Sequence, residues 1–413
     1  MVTENKKYVP TLRFPEFQND GEWNYEYGNM LYDSIVNKKH KSDLPILAIT
    51  QDNGAIPRDE INYRVVVDDK SIEGYKIVEI GDFIISLRSF QGGIEYSRYK
   101  GLCSPAYIVL RKKHSKICDN FYRHYFKSFQ YIQALNRNLE GIRDGKMVSY
   151  KQFSDIKLPY PSLVEQKKIA DCLSSLDKYI DATKRKLELL KEYKNGLMQR
   201  LFPAKSKTVP ELRFPEFQND DKWEWKKLEE FLYEHKTKSD GKCEVHSVSV
   251  SKGVINQKMY LGRSFAASDT SNYKLVKPND VIYTKSPTGN FPFGIVKQSF
   301  LDYNVIVSPL YAVYSPTNRY VGYLIQAYFE SPIRLNNYLY PIVKKGAKNT
   351  IQITNEEFLS REICLPSNEN EQQKIADCLS SLDNAIAALE NKTFELEIHK
   401  KGLLQQIFPN NII

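Results

Sequence analysis

Two stretches of the sequence carry an a/d heptad pattern of mainly apolar positions, which predicts two long α-helices. The pattern runs from Ile169 to Leu201 and again from Ile375 to Ile407, over 33 residues in each case. A heptad pattern of this length is typical of a helix that packs along a narrow seam on another helix. The apolar seam residues that we predict are Ile169, Leu173, Leu176, Ile180, Leu187, Leu190, Leu197, Ile375, Leu379, Leu382, Ile386, Leu389, Leu396 and Leu403.

The limits of both helices are marked in the sequence. Ser162 followed by Glu165 makes a capping box, and Asn368 followed by Glu371 stands at the equivalent place before the second helix. Both helices should end at an FP pair, because the residue before a proline is pushed out of the α region.

A seam of roughly 50 Å, at 1.5 Å per residue, needs a partner. We predict that the two helices pack on each other, and that they are antiparallel if the two halves of the chain are related by a two-fold axis. The alternative is that each helix packs on its own domain. Lys194 and Lys400 also occupy seam positions, and we expect their side chains to snorkel to the edge of the seam.

The helices belong to a tandem repeat that covers the whole chain. VPTLRFPEFQND at 9–20 returns as VPELRFPEFQND at 209–220, EQKKIADCLSSLD at 165–177 as EQQKIADCLSSLD at 371–383, and GLMQRLFP at 196–203 as GLLQQIFP at 402–409. A period of about 200 residues indicates two domains rather than a solenoid. We call these repeated segments, with the long helices, the frame.

Between the frame segments the two copies have diverged, at 24–157 and 224–362, and we call these segments insert 1 and insert 2. Weak echoes remain, such as YKIVEIGDFIIS (75–86) against YKLVKPNDVIYT (273–284) and SPAYIVL (104–110) against SPLYAVY (308–314). Runs rich in β-branched and aromatic residues predict strands at 63–67, 78–87 and 106–111. We predict helices at 121–139 and 319–330, and therefore mixed α/β inserts.

The composition is that of a folded, basic protein. Hydrophobic residues make up 41% and charged residues 26%, and 59 basic against 50 acidic side chains leave a formal net charge of +9. This balance fits an anionic partner such as nucleic acid, but many basic proteins bind none. No signal-peptide pattern and no run of 18 apolar residues occurs, so we expect a soluble intracellular chain. The cysteines lack CxxC spacing, and we expect them to be reduced.

The sequence lacks the usual signatures of an active site. It contains no GxxxxGK[ST] phosphate loop, no GxGxxG turn and no HExxH metal pattern. NFPF at 290–293 departs from the NPPF motif of amino-methyltransferases, and the Asp68-Asp69-Lys70 triplet lacks the upstream PD pair of a nuclease signature. We therefore expect no catalytic residue, no metal site and no cofactor in this chain.

Two α/β domains with basic, variable loops, carried on two fixed helices, suit the reading of two DNA segments at a set separation. Lys and Arg supply phosphate contacts, and loop side chains read base edges in the major groove. The loop residues that we predict to bind DNA are Arg58, Arg88, Gln91, Arg98, Lys100, Arg143, Lys146, Lys252, Asn256, Lys285, Thr288, Asn290, Lys344, Lys345 and Lys348. Replacing Lys146 or Lys348 by alanine should weaken binding and lower its salt dependence.

The chain resembles the specificity subunit of Type I restriction-modification enzymes. The resemblance rests on the LRFPEF element, the EQxxIA entry to each long helix, the GD-(F/V)-I strand and the SPxY strand, and it covers essentially the whole chain. Copy two departs from it by having Asn279 in place of the glycine of GD, a change that concerns turn geometry.

The resemblance implies an α+β fold with two pseudo-two-fold related α/β target recognition domains, separated by two long helices in an antiparallel coiled coil. The expected limits are an N-terminal element at 1–22 that joins the second helix in space, recognition domain 1 at 23–161, helical spacer 1 at 162–222, recognition domain 2 at 223–367 and helical spacer 2 at 368–413.

The resemblance also implies function and partners. Each domain would bind one half of a bipartite asymmetric DNA target in the bacterial cytoplasm. Two modification subunits would methylate adenine at N6 with S-adenosylmethionine, and restriction subunits would translocate and cut DNA with ATP and Mg²⁺. Two alternatives stay open: a structural coiled-coil adaptor that binds no DNA, and a fused single-chain methyltransferase or nuclease.

Overall fold

The computed structural model divides the chain into two compact units. Unit 1 comprises Met1–Arg185 with Glu390–Ile413, and unit 2 comprises Lys186–Leu389. The structure describes residues 8–41, 43–61, 72–137, 148–239, 241–261, 269–345 and 351–409. The division falls within each of the two long helices, so that each unit contains one insert and one segment of either helix.

Unit 1 is built around a four-stranded antiparallel sheet with the order β2-β9-β6-β7, flanked by the pairs β1–β10, β3–β4 and β5–β8. Its strands are β1 (Asn24–Tyr27), β2 (Tyr32–Ile35), β3 (Leu47–Thr50), β4 (Gly54–Pro57), β5 (Lys76–Val78), β6 (Phe83–Ile85), β7 (Glu95–Tyr96), β8 (Gly101–Cys103), β9 (Ile108–Lys112) and β10 (Lys157–Tyr160). Its short helices are α1 (Gly28–Leu31), α2 (Ser89–Gly92), α3 (Asp119–Tyr125), α4 (Phe129–Arg137) and α5 (Tyr150–Ser154).

Unit 2 repeats this plan with a sheet of order β12-β19-β16-β17 and the flanking pairs β11–β22, β13–β14, β15–β18 and β20–β21. Its strands are β11 (Glu224–Lys227), β12 (Leu232–Glu234), β13 (His246–Ser249), β14 (Gly253–Asn256), β15 (Lys274–Val276), β16 (Val281–Tyr283), β17 (Val296–Gln298), β18 (Val305–Val307), β19 (Ala312–Pro316), β20 (Lys344–Lys345), β21 (Ile351–Gln352) and β22 (Glu362–Leu365). Its short helices are α7 (Gln257–Leu261), α8 (Arg319–Phe329), α9 (Pro332–Leu339) and α10 (Asn355–Leu359).

The two long helices have the predicted limits. Helix α6 spans Leu163–Leu201 and helix α11 spans Glu369–Ile407, so that each ends immediately before its FP pair. The predicted seam positions are buried or half-buried along both helices. Turns built as 3₁₀-helices lie at Pro15–Phe17, Arg58–Glu60, Pro215–Phe217, Leu228–Glu230 and Tyr340–Ile342.

The helix segments within unit 1 pack antiparallel. Asp177 of α6 forms an ion pair with Lys400 of α11 at 2.6 Å. Farther along α6, Lys184 forms an ion pair with Glu397 of α11 at 2.5 Å. The partner's number falls as the number in α6 rises, which defines the antiparallel direction. Unit 2 contains the equivalent of the first pair, because Lys194 binds Asp383 at 2.5 Å.

The expectation that both seam lysines snorkel to the edge is wrong for Lys194. Lys194 is only 7% exposed, and its ammonium group binds Glu330 at 2.9 Å as well as Asp383. Burial by itself would lower the pKa of Lys194, but Glu330 and Asp383 outweigh that effect and raise it. A heptad pattern reveals a seam position but not the carboxylate that an insert brings to it.

The predicted strand over 78–87 is two strands, β5 and β6, with a tight turn between them. Gly81 adopts a φ of 97° in this turn, and the buried Asp82 accepts a hydrogen bond from the backbone N–H of Glu79 at 2.8 Å. Unit 2 has the same turn: Asn279 takes a φ of 68°, and Asp280 accepts from the N–H of Lys277 at 2.7 Å. Asparagine can replace glycine here because it tolerates the left-handed region.

The helix predicted at 121–139 is interrupted. Helix α3 ends at Tyr125 and α4 begins at Phe129, where the hydroxyl of Ser128 accepts from the N–H of Tyr131 at 3.3 Å. The helix predicted at 319–330 forms as α8, and Asn318 caps its first turn. The strand predicted at 63–67 lies outside the described residues.

Each unit has its own apolar core, in which the insert meets the long helices. In unit 1 this core includes Trp23, Phe83, Phe126, Ile169 and Phe408. In unit 2 the equivalent core includes Trp223, Tyr283, Phe329, Ile375 and Phe202. No helix in the described ranges combines the length and apolarity required to span a bilayer.

Candidate nucleic-acid interface

The arginine of each repeated LRFPEF element binds the glutamate at the start of a long helix and so clamps two parts of the frame together. In unit 1, Arg13 donates two hydrogen bonds to Glu165, at 2.7 and 2.8 Å. In unit 2, Arg213 donates to Glu371 at the same two distances. All four side chains are less than a tenth exposed, and each carboxylate raises the pKa of its arginine. A bidentate, buried pair of this kind fixes geometry as well as contributing energy.

The reciprocal half of both predicted capping boxes is therefore wrong, and in the second box the side chain of Asn368 accepts from the N–H of Asn370 at 3.0 Å and not from that of Glu371. The hydroxyl of Ser162 does accept from the N–H of Glu165, at 3.3 Å, but the Glu165 carboxylate binds Arg13 and the indole of Trp23 instead of returning to the helix start. The Glu165 carboxylate could bind either the backbone at the helix start or the guanidinium of Arg13. It binds the guanidinium because a charged donor makes the stronger hydrogen bond.

The neighbouring glutamine ties the start of each long helix to its insert. Gln166 accepts from the N–H of Cys118 at 2.9 Å and donates to the carbonyl of Pro161 at 2.9 Å. Gln372 accepts from the side chain of Asn318 at 3.0 Å and donates to the carbonyl of Pro366 at 2.7 Å. In each EQ pair the glutamate therefore binds the arginine of the LRFPEF element, and the glutamine binds the insert.

The N-terminal element occupies in unit 1 the place that the second LRFPEF element occupies in unit 2. The N–H of Leu12 donates to the carbonyl of Gln406 at 3.0 Å, and the N–H of Leu212 donates to the carbonyl of Arg200 at 2.9 Å. In unit 2 the helix and the element are continuous in sequence, whereas in unit 1 they come from opposite ends of the chain.

The predicted DNA-binding residues of insert 1 that the structure describes all lie in loops or short turns. Arg88 and Gln91 are exposed in and beside α2, and Arg98 and Lys100 are exposed between β7 and β8. Lys100 pairs with Glu79 at 3.0 Å. Arg58 opens the 3₁₀ turn after β4 and is half-buried.

In insert 2, Thr288 and Asn290 are exposed in the β16–β17 loop, and Lys252 is exposed beside β14. Asn256 instead uses its side chain locally: it donates to Glu244 at 2.6 Å and accepts from the N–H of Met259 at 3.1 Å. Lys344 is exposed and ion-paired with Glu357.

Lys285 is the most constrained residue of the predicted set. It is half-buried, it adopts a φ of 58°, and a side chain at the facing Gly294 would come within 2.7 Å of its backbone nitrogen. Burial lowers the pKa of Lys285, and the charge on Lys274 lowers it further. A non-glycine residue held in the left-handed region marks a point where the surrounding structure determines the backbone.

The predicted residues Arg143, Lys146 and Lys348 lie outside the described residues, as does the side chain of Lys345. The expected effect of alanine at Lys146 or Lys348 on salt dependence stays a prediction. The DNA-binding role of the other residues in the predicted set also stays a prediction, since position alone does not test it.

Sequence reasoning missed a pair of half-buried lysines at the start of β5 and β15. Lys76 donates to the carbonyl of Tyr107 at 2.6 Å, and Lys274 donates to the carbonyl of Tyr311 at 2.7 Å. Burial lowers the pKa of both lysines. The signal was available, because the YK and SPxY echoes place lysine and tyrosine at matching positions in both copies.

Among the described residues, no group of three or more His, Cys, Asp or Glu side chains has an arrangement that could hold a metal ion.

Comparison with known proteins gives the architecture a family. A family model for the Type I restriction modification DNA specificity domain matches residues 18–192 and 220–398. The chain is similar to the Type I restriction enzyme MjaVIII specificity subunit of Methanocaldococcus jannaschii, with 25% identity over 358 residues that cover 81% of this chain and 80% of the relative.

The fold is similar to the crystal structure of a Type I restriction-modification system S subunit from M. genitalium. The TM-score is 0.59 at 11% sequence identity, and the likeness covers 97% of this chain and 99% of that one. Each matched range of the family model contains one insert and the start of one long helix. Because the two ranges together span well over half of the sequence, the chain belongs to the family of Type I restriction modification DNA specificity domains and carries two copies of that domain.

Proposed function

We propose that this chain is the DNA-recognition subunit of a Type I restriction-modification complex and that each insert binds one half of a bipartite, asymmetric target. The observation that carries the proposal is the contrast within the repeat. Both inserts share a strand order and are carried on frame segments that the same arginine–glutamate pair joins, while their loops differ in sequence. A constant scaffold with variable loops is the arrangement in which recognition evolves.

The loop chemistry supports DNA as the ligand. Arg88 and Gln91 are exposed on one short helical turn of insert 1, and both side chains have donors suited to base edges in the major groove. The overall formal charge of +9 favours a polyanion. Phosphate contacts by the surrounding lysines would add affinity that does not depend on sequence.

The partners that we propose are two modification subunits and the restriction subunits. The outer face of the frame is duplicated down to single contacts: Lys168 pairs with Glu16 at 2.9 Å in unit 1, and Lys374 pairs with Glu216 at 3.0 Å in unit 2. Two like surfaces suit two copies of one partner. In unit 1 a cavity of about 190 Å³ opens beside this face, and it is lined by Pro10, Leu12, Arg13, Phe14, Pro15, Glu165, Ile169, Cys172, Leu403 and Ile407.

In this proposal the chemistry belongs to the partners. Modification subunits methylate adenine at N6 with S-adenosylmethionine, restriction subunits cleave with ATP and Mg²⁺, and this chain acts without a cofactor as a non-catalytic subunit. Its contribution is to choose the sequence at which they act.

Methylome sequencing tests the proposal most directly. A host strain that expresses this chain as its sole specificity subunit, together with the modification subunits, should gain one bipartite motif methylated in both halves. Absence of any new motif, or a motif without a gap, would contradict the proposal.

A gel shift separates DNA recognition from the purely structural alternative. The chain assembled with modification subunits should retain a duplex that carries the motif more strongly than a scrambled duplex. Equal failure with both would favour a coiled-coil adaptor, and methylation by the chain without any partner would favour the fused enzyme.

The long helices also make a prediction about the gap in the target. Inserting one heptad at matched positions of α6 and α11 keeps the a/d seam in phase and lengthens each helix by roughly 10 Å. The methylated motif should then keep both half-sites and change its gap. An unchanged gap would show that the helices do not set it.

A further inference from the structure

Two loops of insert 1 meet at one ion pair, in which the carboxylate is buried and the lysine is half-buried. The ammonium group of Lys127, at the corner between α3 and α4, binds the carboxylate of Glu95 at 2.5 Å. The same ammonium group donates to the carbonyl oxygens of Gln51, at 3.1 Å, and of Gly92, at 2.9 Å. One side chain therefore holds the β3–β4 turn and the end of α2 together.

Two further contacts bring these loops close together. The side chain of Gln51 donates to the carbonyl of Arg88 at 3.3 Å. A Cβ atom at Gly93, where φ is 81°, would come within 1.9 Å of the carbonyl oxygen of Phe126. The α2 loop is thus enclosed between the β3–β4 turn and the α3–α4 corner, and it carries Arg88 and Gln91 on its exposed side.

Insert 2 has an ion pair at the equivalent place, with the charges reversed. Glu95 of β7 lies opposite Ile84 of β6, and Lys297 of β17 lies opposite Ile282 of β16 at the same register. Lys297 binds Glu330 at 3.1 Å.

The partners across these pairs are also equivalent. Lys127 directly precedes Ser128, and Glu330 directly precedes Ser331, the serine that caps the next helix in each insert. Two residues earlier, each insert has a tyrosine that packs on the phenylalanine of an FP pair. The Tyr125 ring lies 5.2 Å from that of Phe408, and the Tyr328 ring lies 5.8 Å from that of Phe202.

Reversal of the charges changes what the helix corner can bind. An ammonium group can donate to loop carbonyls, as Lys127 does, whereas a carboxylate can only accept. Glu330 accordingly binds no loop carbonyl in the described contacts and pairs instead with Lys194 of the long helix, at 2.9 Å. An ion pair could form with the lysine on either the helix corner or the strand. Only a lysine on the corner, as in insert 1, can also donate to the loop carbonyls.

We propose that Lys127 is a positioning residue for recognition by insert 1: its two carbonyl hydrogen bonds hold the α2 loop, with Arg88 and Gln91, in the geometry that reads one half-site. Glu95 supplies the counter-charge and takes no part in holding the loop. This inference rests on the proposed function of the inserts and adds to it the residue that sets the geometry of one reader.

Three variants of the full chain, each assembled with modification subunits, separate loop positioning from simple pairing. Lys127→Met removes the carbonyl bonds, Glu95→Gln keeps them, and the double variant Lys127→Glu with Glu95→Lys restores an ion pair without them. Lys113→Met, which removes an exposed pair with Asp33 at 3.1 Å, is the matched control.

The readout is methylation of duplexes with single-base changes in either half-site. Lys127→Met and the reversed pair should lose discrimination in one half-site by about tenfold or more, the effect of misplacing one base contact. The other half-site should be unaffected, and Glu95→Gln and the control should behave as wild type. In the absence of DNA, hydrogen exchange at residues 88–93 should accelerate in Lys127→Met and in the reversed pair alone.

Recovery of discrimination by the reversed pair would overturn the inference, since pairing alone would then be sufficient. Equal loss in Glu95→Gln, or equal effects on both half-sites, would also overturn it. A wild-type complex that methylates no bipartite motif would remove the proposed function, and this inference with it, which distinguishes the two failures.

Discussion

The two inserts are copies of one fold that use the same half-buried position at a helix corner differently. In insert 1 the helix corner carries Lys127 and ties down two loops, and in insert 2 it carries Glu330 and ties the insert to the long helix through Lys194. The surrounding contacts that belong to the frame are nearly identical in the two units. Divergence has therefore changed loop geometry and anchoring while leaving the sheet and the arginine–glutamate clamp unchanged.

The largest expected difference between the units concerns that clamp. Arg213→Ala leaves the Glu371 carboxylate buried without its arginine, which should cost about 3–5 kcal/mol of unfolding free energy. Arg13→Ala should cost about 1 kcal/mol less, because the indole of Trp23 still donates to Glu165 at 3.0 Å. The indole nitrogen of Trp223 has no hydrogen-bond partner among the described residues. Denaturant unfolding of the full chain measures the free-energy cost of both substitutions. Equal costs would show that the hydrogen bond from Trp23 does not stabilise the Glu165 carboxylate when Arg13 is removed.

A second difference should appear as a pH dependence of insert 1. Burial raises the pKa of Glu95 to about 7, because desolvation outweighs the attraction of Lys127. A raised carboxyl pKa means that its contribution to stability is complete below the ordinary value of 4.5 and is lost as the pH rises through 7. Glu95→Gln should therefore gain stability relative to wild type between pH 5 and 8, by up to about 3 kcal/mol. A pH-independent difference would contradict the raised pKa.

The seam lysines should also differ. Lys194→Met should cost about 2–3 kcal/mol, less than a fully orphaned buried charge, because Glu330 keeps Lys297 and Asp383 keeps the hydroxyl of Tyr323 at 2.5 Å. Lys400→Met should cost below about 1 kcal/mol, since this lysine is 31% exposed and Asp177 keeps Arg123 at 3.0 Å. Thermal unfolding of the two variants side by side tests the comparison, and a larger loss from Lys400→Met would reverse it.

The smallest effect is expected at the turn before β6 and β16. Exchanging the residues, as Gly81→Asn or Asn279→Gly, should change the unfolding free energy by less than about 1 kcal/mol. Both residue types reach a positive φ, and a Cβ atom at Gly81 would come no closer than 3.5 Å to Asp119. Asn279→Val should cost clearly more, because β-branched residues avoid this region. Circular dichroism during denaturant titration provides the measurement.

Much of the frame could be predicted from the sequence because its signals are local and periodic. The heptads from Ile169 and Ile375, together with the FP pairs, predicted both long helices, and the repeat predicted two like units. The capping-box reading of Glu165 and Glu371 was wrong because a local pattern cannot report an arginine about 150 residues away. The same limit applies to Lys194, whose partner Glu330 belongs to the insert.

What the amino-acid sequence determined here is the duplication, the length and spacing of the seam, and the basic character of the loops, since each follows from residue order and composition. What required the folded chain is the pairing of distant charges: Arg13 with Glu165, Lys194 with Glu330, and Lys127 with Glu95 and two loop carbonyls. Burial raises the energy of an unpaired charge, so that the fold must bring a partner to each one. The tertiary arrangement of the strands and helices decides which side chain pairs with each buried charge, and which member of the pair is the lysine.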